Sequence, residues 1–196
     1  MWVEGRGHLP GQLVVVSGPS GSGKSSVLRQ ALLHPGVNAR LSVSATTREP
    51  RPGECDGVDY YFLTQNDFRE AIGRGEFLEW AEYGPNLYGT PARPVYDALA
   101  EGMTVVLEIE VLGALQIRQH APGALFVFIR TPTFRILEER LRGRGTETEA
   151  SVLRRLRKAR QELAEAHWYD VQIINDEFHR CVAEFVTTLS NVGPGG

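Results

Sequence analysis

Cysteine is nearly missing from this chain: Cys55 and Cys181 are the only two in 196 residues, far apart and in no CxxC pair. They supply neither a disulfide framework nor a thiolate metal site, and reduced thiols are the expected state. No apolar run approaches the roughly 18 residues that a membrane-spanning helix needs. Met1 to Gly11 contains no apolar stretch of signal-peptide length. The expected location is therefore the cytoplasm, with no membrane as partner. A large excess of one charge is also lacking. The net charge is −3, which argues against a general nucleic-acid binder. There is no internal repeat and no low-complexity tract, and no obligate protein partner is evident.

What is present suits a soluble globular protein, with 42% hydrophobic and 23% charged residues. The charges are unevenly placed. Glu49 to Glu110 holds 13 acidic and 4 basic residues, and Arg135 to Arg160 holds 9 basic and 4 acidic. Such a division suits a chain in which one segment surrounds a base and the other holds phosphates, although solvated faces explain many single charges.

Gln12-Leu-Val-Val-Val-Ser17 reads as a buried strand. From Lys24 the spacing of Val27, Leu28, Ala31 and Leu32 is helical, and Pro35-Gly36 ends that helix. Between them, Gly18-Pro19-Ser20-Gly21-Ser22-Gly23-Lys24-Ser25 matches G-x-x-x-x-G-K-[ST]. Glycines let backbone N–H groups converge on a phosphate, and the helix start adds its positive end. Lys24 is expected to reach the β- and γ-phosphates of ATP and Ser25 to place its hydroxyl on Mg²⁺, the cofactor. The loop identifies the nucleotide and leaves the acceptor open.

From Leu41 to Thr90 the chain is rich in turns and short strands, of which Tyr60–Leu63 and Phe77–Tyr83 are the clearest, with a short helix over Asn66–Ile72. After Pro91, helices near Val95–Ala100, Leu112–Gln119, Thr133–Leu141, Glu149–His167 and Phe178–Leu189 alternate with strands Thr104–Ile109, Ala124–Ile129 and Val171–Asn175. This rhythm predicts an α/β fold, a P-loop NTPase-type parallel sheet flanked by helices. The domain is expected over 12–189. Its core is 12–41 and 91–189, and a small mixed or antiparallel β module is inserted at about 42–90. Residues 1–11 and 190–196 are expected to be flexible tails.

Several separated blocks carry a more specific likeness: Ser42-Val-Ser-Ala-Thr-Thr-Arg-Glu-Pro-Arg-Pro-Gly-Glu54, Gly57-Val-Asp-Tyr-Tyr-Phe62, Gly75-Glu-Phe-Leu-Glu-Trp80, Tyr88-Gly-Thr-Pro91, Leu107-Glu-Ile-Glu110, Arg140-Leu-Arg-Gly-Arg-Gly-Thr146 and Ile174-Asn-Asp176. Together they resemble the guanylate kinase family across about Gln12 to Leu189. The resemblance implies phosphorylation of GMP, and of dGMP, by ATP. It implies that Arg48, Arg51 and the Tyr60 hydroxyl bind the GMP phosphate, with Tyr88 assisting, and that Ser44, Glu79 and Thr90 read guanine. A carboxylate at Glu79 accepts from guanine N1–H and the 2-amino group, a donor pair that adenine lacks. Read singly, Glu79 alternates with Leu78 and Trp80 and also suits a solvent-facing strand position. Tyr60 and Tyr88 also suit a small core.

The resemblance further implies a helical lid at about 143–160, hinged at Gly143-Arg-Gly145. It places Arg144 near the adenine and phosphates of ATP, Arg155 on the transferring phosphate and Asn175 near the adenine. Lys24, Arg48, Arg144 and Arg155 form the expected catalytic set. Arg140, Arg142, Arg154 and Arg157 read as solvated helix residues. Glu110 stands where the family usually has Asp, and Leu112 where it usually has Gln. Glu110 matches a guanine- or metal-side carboxylate, and Glu108 on the same strand face is a candidate Mg²⁺ ligand through water. Alternatives are a kinase for another phosphorylated acceptor, such as a ribose bisphosphate, and a non-catalytic guanylate-kinase-like binding module. The first would not need Arg48, Arg51, Tyr60 and Glu79. The second would tend to lose Lys24 and the lid arginines.

Overall fold

Leu13-Val-Val-Val-Ser17 is buried along its whole length, as a strand must be when helices cover both faces of its sheet. Its side chains divide with period two. Leu13 and Val15 enter one apolar cluster, and Val14 and Val16 enter another on the opposite face. Phe126 and Phe128 against Val127 and Ile129 repeat the division on a neighbouring strand.

The computed structural model describes residues 9–143 and 148–192. In chain order the elements are β1 (Leu13–Ser17), α1 (Lys24–Leu32), β2 (Ala39–Leu41), β3 (Ala45–Thr46), β4 (Tyr61–Phe62), α2 (Gln65–Gly73), β5 (Phe77–Tyr83), β6 (Asn86–Pro91), α3 (Ala92–Ala100), β7 (Thr104–Glu108), α4 (Val111–His120), β8 (Leu125–Arg130), α5 (Phe134–Arg142), α6 (Glu149–Ala164), β9 (Val171–Ile174) and α7 (Phe178–Asn191). The five-stranded sheet has the order β2-β7-β1-β8-β9, and every pairing in it is parallel. The second sheet, β4-β3-β6-β5, is mixed: β3 pairs with β4 in parallel and with β6 antiparallel. It has its own apolar cluster of Ala45, Phe68 and Leu87, with Phe68 stacked on Phe77 at 4.3 Å.

Short or interrupted strands escape the sequence pattern. β2 has three residues, and β6 carries Gly89 and ends on Pro91, so neither shows an alternating run. Gly11 N donates to Leu99 O, and α7 runs on to Asn191, past the expected end of the last helix. Arg144 and Gly145 of the expected hinge lie outside the described residues, as do residues 1–8 and 193–196.

β5 is the free edge of its sheet, and α4 covers part of it. The Gln116 carboxamide accepts from Trp80 N at 3.3 Å and donates to Trp80 O at 2.9 Å. One side chain thus satisfies both backbone groups of an edge residue.

The helix expected over Glu149–His167 stops at Ala164, and Glu165–Trp168 form a 3₁₀ turn. The tighter turn swings two rings beneath the parallel sheet. Trp168 stacks on Tyr169 at 3.9 Å, and Tyr169 lies 4.9 Å from Phe128. Asp170 then accepts from Phe126 N at 2.9 Å and pairs with Arg118 at 3.2 Å. The Arg118 guanidinium lies 4.7 Å from the Phe126 ring centroid. His167–Asp170 is a strap joining α4, β8 and the approach to β9. Losing the Asp170 acceptor strands a backbone N–H and a guanidinium. Asp170→Ala should therefore lower the unfolding free energy by about 1–3 kcal/mol, measured by urea denaturation. An unchanged midpoint would show that the strap contributes nothing.

Candidate active site

Parallel pairing sets the site. Val16 of β1 is in register with Glu108 of β7, so the loop after β1 and the carboxylate ending β7 emerge at the same edge of the sheet. Carboxyl ends of parallel strands are where open α/β sheets bind ligands. The loop passes close to its neighbour: a Cβ on Gly18 (φ 147°) would lie 2.0 Å from Ile129 O. Helices α2, α5, α6 and α7 start on capping side chains from Thr64, Thr133, Thr148 and Glu177. α1 starts on Gly23 with no side-chain cap, so its first N–H groups remain available to a phosphate.

Lys24 Nζ donates to Gly18 O at 2.9 Å and stands 3.9 Å from Glu108 Oε1. The Ser25 hydroxyl donates to the same carboxylate oxygen at 2.6 Å. Two oxygen donors thus meet beside the lysine. Mg²⁺ prefers one or two such protein ligands and takes the rest from phosphates and water, so Ser25 and Glu108 fit it.

Behind the loop, Asn175 is 4% exposed, and its carboxamide donates to Ser22 O at 2.7 Å. Arg140 donates to Ser22 O at 3.4 Å and to the backbone O of Asn175 at 3.0 Å. Arg140 is therefore no solvated helix residue. It and Asn175 brace the loop at Ser22 and form no part of the cavity wall. Arg155 of α6 donates to Ser20 Oγ at 3.3 Å. Arg144 lies outside the described residues.

A cavity of about 560 Å³ runs from this loop to the second sheet. Of the residues expected to meet the acceptor, Ser44, Tyr60, Glu79, Tyr88 and Glu110 line it. Glu79 is 6% exposed, which removes the solvent-facing alternative. Its carboxylate accepts from the Thr90 hydroxyl at 2.7 Å. It fits only because residue 113 has no side chain: a Cβ on Gly113 would lie 2.4 Å from Glu79 Oε2. Burial pushes the Glu79 carboxyl up to about 7; the bonds from Thr90 oppose this, and the charge of Glu110 adds to it. Thr90 is fully buried, so in this arrangement its hydroxyl serves Glu79.

Arg48 and Arg51 sit beside the cavity and form no part of its wall. Arg48 pairs with Glu54 at 2.9 Å and lies 5.5 Å from the Tyr60 ring centroid. Arg51 N donates to the other oxygen of Glu54 at 2.7 Å. Glu54 thus holds both residues of the Arg48-Glu-Pro-Arg51 turn. Burial raises the Tyr60 phenol, which stands 6.2 Å from Tyr88, centroid to centroid.

The sequence reading missed Tyr83, Gly113, Lys158 and Glu162, which also line the cavity. The last two share a face of α6 with Arg155, at spacings of three and seven residues. That pattern is visible in the sequence but is hidden among the other charges that surround the apolar stripe of this helix. Glu162 is pushed up to about 7, chiefly by burial, with Lys158 and Lys24 pulling it down and Glu110 pushing it up.

Comparison with known proteins bears on the whole chain. The family model described as guanylate kinase matches residues 10–192. A guanylate kinase from Synechocystis sp. is 51% identical over 92% of this chain and 94% of its own length. One from Rubrobacter xylanophilus is 46% identical over 95% and 97%. The crystal structure of guanylate kinase from Anaplasma phagocytophilum aligns with a TM-score of 0.73 at 29% identity, covering 92% of this chain and 85% of that one. Likeness at that level from end to end, in a chain whose phosphate loop opens onto a buried carboxylate, makes this chain a member of the guanylate kinase family.

Proposed function

We propose that the chain transfers the terminal phosphoryl group of ATP to GMP, giving ADP and GDP, and that dGMP, with the same base and phosphate, serves as a second acceptor. The observation that carries this reading is the buried Glu79 carboxylate at the far end of the cavity that starts at the phosphate loop. A planar base entering there meets an acceptor for two adjacent donors, which guanine has and adenine lacks. Leaving that carboxylate unpaired costs about 1–3 kcal/mol, so the wrong base is disfavoured.

In the reaction, an oxygen of the GMP phosphate attacks the γ-phosphorus of ATP and the bond to the β,γ-bridging oxygen breaks. The attacking oxygen is already anionic at neutral pH, so no general base is required. The chain's work is to align the two phosphates and to offset the charge spreading over the γ-oxygens. Lys24 and the free N–H groups at the start of α1 serve the donor. Arg48, Arg51, Tyr60 and Tyr88 serve the acceptor phosphate, with Arg48 turning from Glu54 to the incoming anion. Arg155 and Arg144 complete the cationic ring when the lid closes, which also excludes water as a competing acceptor. Ser25 and Glu108 would hold Mg²⁺, which would supply positive charge to offset that of the ATP phosphates.

An acceptor panel run with ATP and Mg²⁺ tests the reading. GMP and dGMP should react, with kcat/KM for AMP, UMP and sugar phosphates lower by about 100-fold or more; AMP turned over as well as GMP would overturn the assignment. Lys24→Ala should keep the fold and lose about 100- to 1,000-fold in kcat, by steady-state kinetics beside a thermal melt. Near-wild-type turnover would remove Lys24 from the mechanism.

Glu79 gives a pH signature. Its folded carboxyl titrates near 7, above its ordinary 4.5. The protonated form is the one favoured by folding. Its stabilisation is complete below about 4.5 and is lost as pH rises through about 7. Guanine needs the ionised form. KM for GMP should therefore rise as pH falls below about 7, while the nucleotide-free enzyme melts lower as pH climbs from 5 to 8. In Glu79→Gln both slopes should flatten, and kcat/KM for GMP at pH 8 should drop by roughly 10- to 100-fold. Identical pH profiles in the two proteins would exclude this role for Glu79.

A further inference from the structure

Helix α6 reaches both ends of the cavity. Arg155 bonds Ser20 of the phosphate loop, and Lys158, one turn on along the same face, reaches the opposite end of the cavity. Its ammonium pairs with Glu110 Oε1, at the start of α4, and stands 4.2 Å from the ring centroid of Tyr83, at the end of β5. β5 is also the strand of Glu79, and α4 carries the Gly113 that leaves room for it. Gln116 of α4 already ties these two elements at Trp80. Lys158 adds a tie between that pair and α6.

The charge balance at this corner depends on the same ammonium. Glu79, Glu110 and Glu162 all line a cavity that must admit an anionic ligand. Lys158 is in direct contact with Glu110 and offsets Glu162 from the preceding turn of its own helix. Without it, the charge of Glu110 would act on Glu79 uncompensated, and the Glu110 side chain would lose the contact that holds it on the cavity wall. The side chain is 32% exposed, so the pair matters less for overall stability than for where Glu110 points.

We infer that Lys158 is a positioning residue for the acceptor, holding Glu110 in place and tying α6, the helix of Arg155, to the base-reading end of the cavity. The inference rests on the proposed GMP kinase reading. It predicts an effect confined to the acceptor, unlike a general structural role or a direct contact with ATP.

The test is steady-state kinetics of Lys158→Met, Lys158→Arg, Glu110→Gln and the Lys158→Met/Glu110→Gln double variant, with a thermal melt of each. Lys158→Met should raise KM for GMP about five- to tenfold and leave KM for ATP within about twofold. Lys158→Arg, which keeps the charge, should recover most of the loss. The double variant should be no worse than Glu110→Gln alone, because Lys158 acts through Glu110. An unchanged KM for GMP, equal changes in both KM values, a fall in kcat alone, or additive losses in the double variant would each overturn the inference. If Lys158→Met fails to fold, Lys158→Gln is read by the same criteria. Wild-type enzyme that ignores GMP refutes the kinase reading itself, whereas wild-type enzyme active on GMP beside a Lys158→Met variant that matches it refutes only the role of Lys158.

Discussion

The register between β1 and β7 is the constraint on which the rest depends. Val16 opposite Glu108 brings the phosphate loop, Ser25, Lys24 and the Glu108 carboxylate to one edge of the sheet. Two residues further on, Glu110 opens α4, and α4 in turn supplies Gly113 for Glu79 and Gln116 for β5. Because side chains alternate along a strand, a slip of one residue would turn Glu108 to the opposite face, into the apolar layer that holds Val105 and Leu107. The register is protected by apolar packing on both faces of the sheet, which polar chemistry at its edge does not disturb.

The site also shows how a small buried charge is made tolerable. Glu79 lies in a pocket walled by a glycine and a threonine. Its bonds from Thr90 leave it short of a carboxylate's full complement. Burial therefore keeps it only half-committed to ionisation near neutral pH. A ligand offering paired donors completes what the fold leaves incomplete. A buried, under-bonded carboxylate of this kind opposes folding in the free protein.

The parallel sheet and its flanking helices were legible in the sequence because long buried runs such as Leu13–Ser17 and Leu125–Arg130 and regular helical spacing carry their own signal. The phosphate loop was legible because its glycines, lysine and serine have fixed chemical tasks. The inserted module was legible only in outline: its two-residue strands β3 and β4 are held by partners and show no periodicity of their own. Arg140 illustrates the limit most clearly. Nothing along the chain distinguishes it from Arg142, yet one braces Ser22 and Asn175 while the other pairs with Glu138 and Glu149 at the surface. That difference arises from which face of α5 meets the loop, a tertiary fact. Lys158 and Glu162 were hidden in the same way among the charges of α6.

The carboxamide of Gln116 has a consequence beyond the cavity. β5 ends its sheet, and an open strand edge is a template on which another chain can pair. At Trp80, which is 39% exposed and apolar, the backbone donor and acceptor are already taken by Gln116. A second copy approaching this edge finds its hydrogen-bonding register interrupted midway, beside the ring most attractive to it. The side chain that fastens α4 to β5 therefore also blocks strand pairing at the most apolar point of this edge.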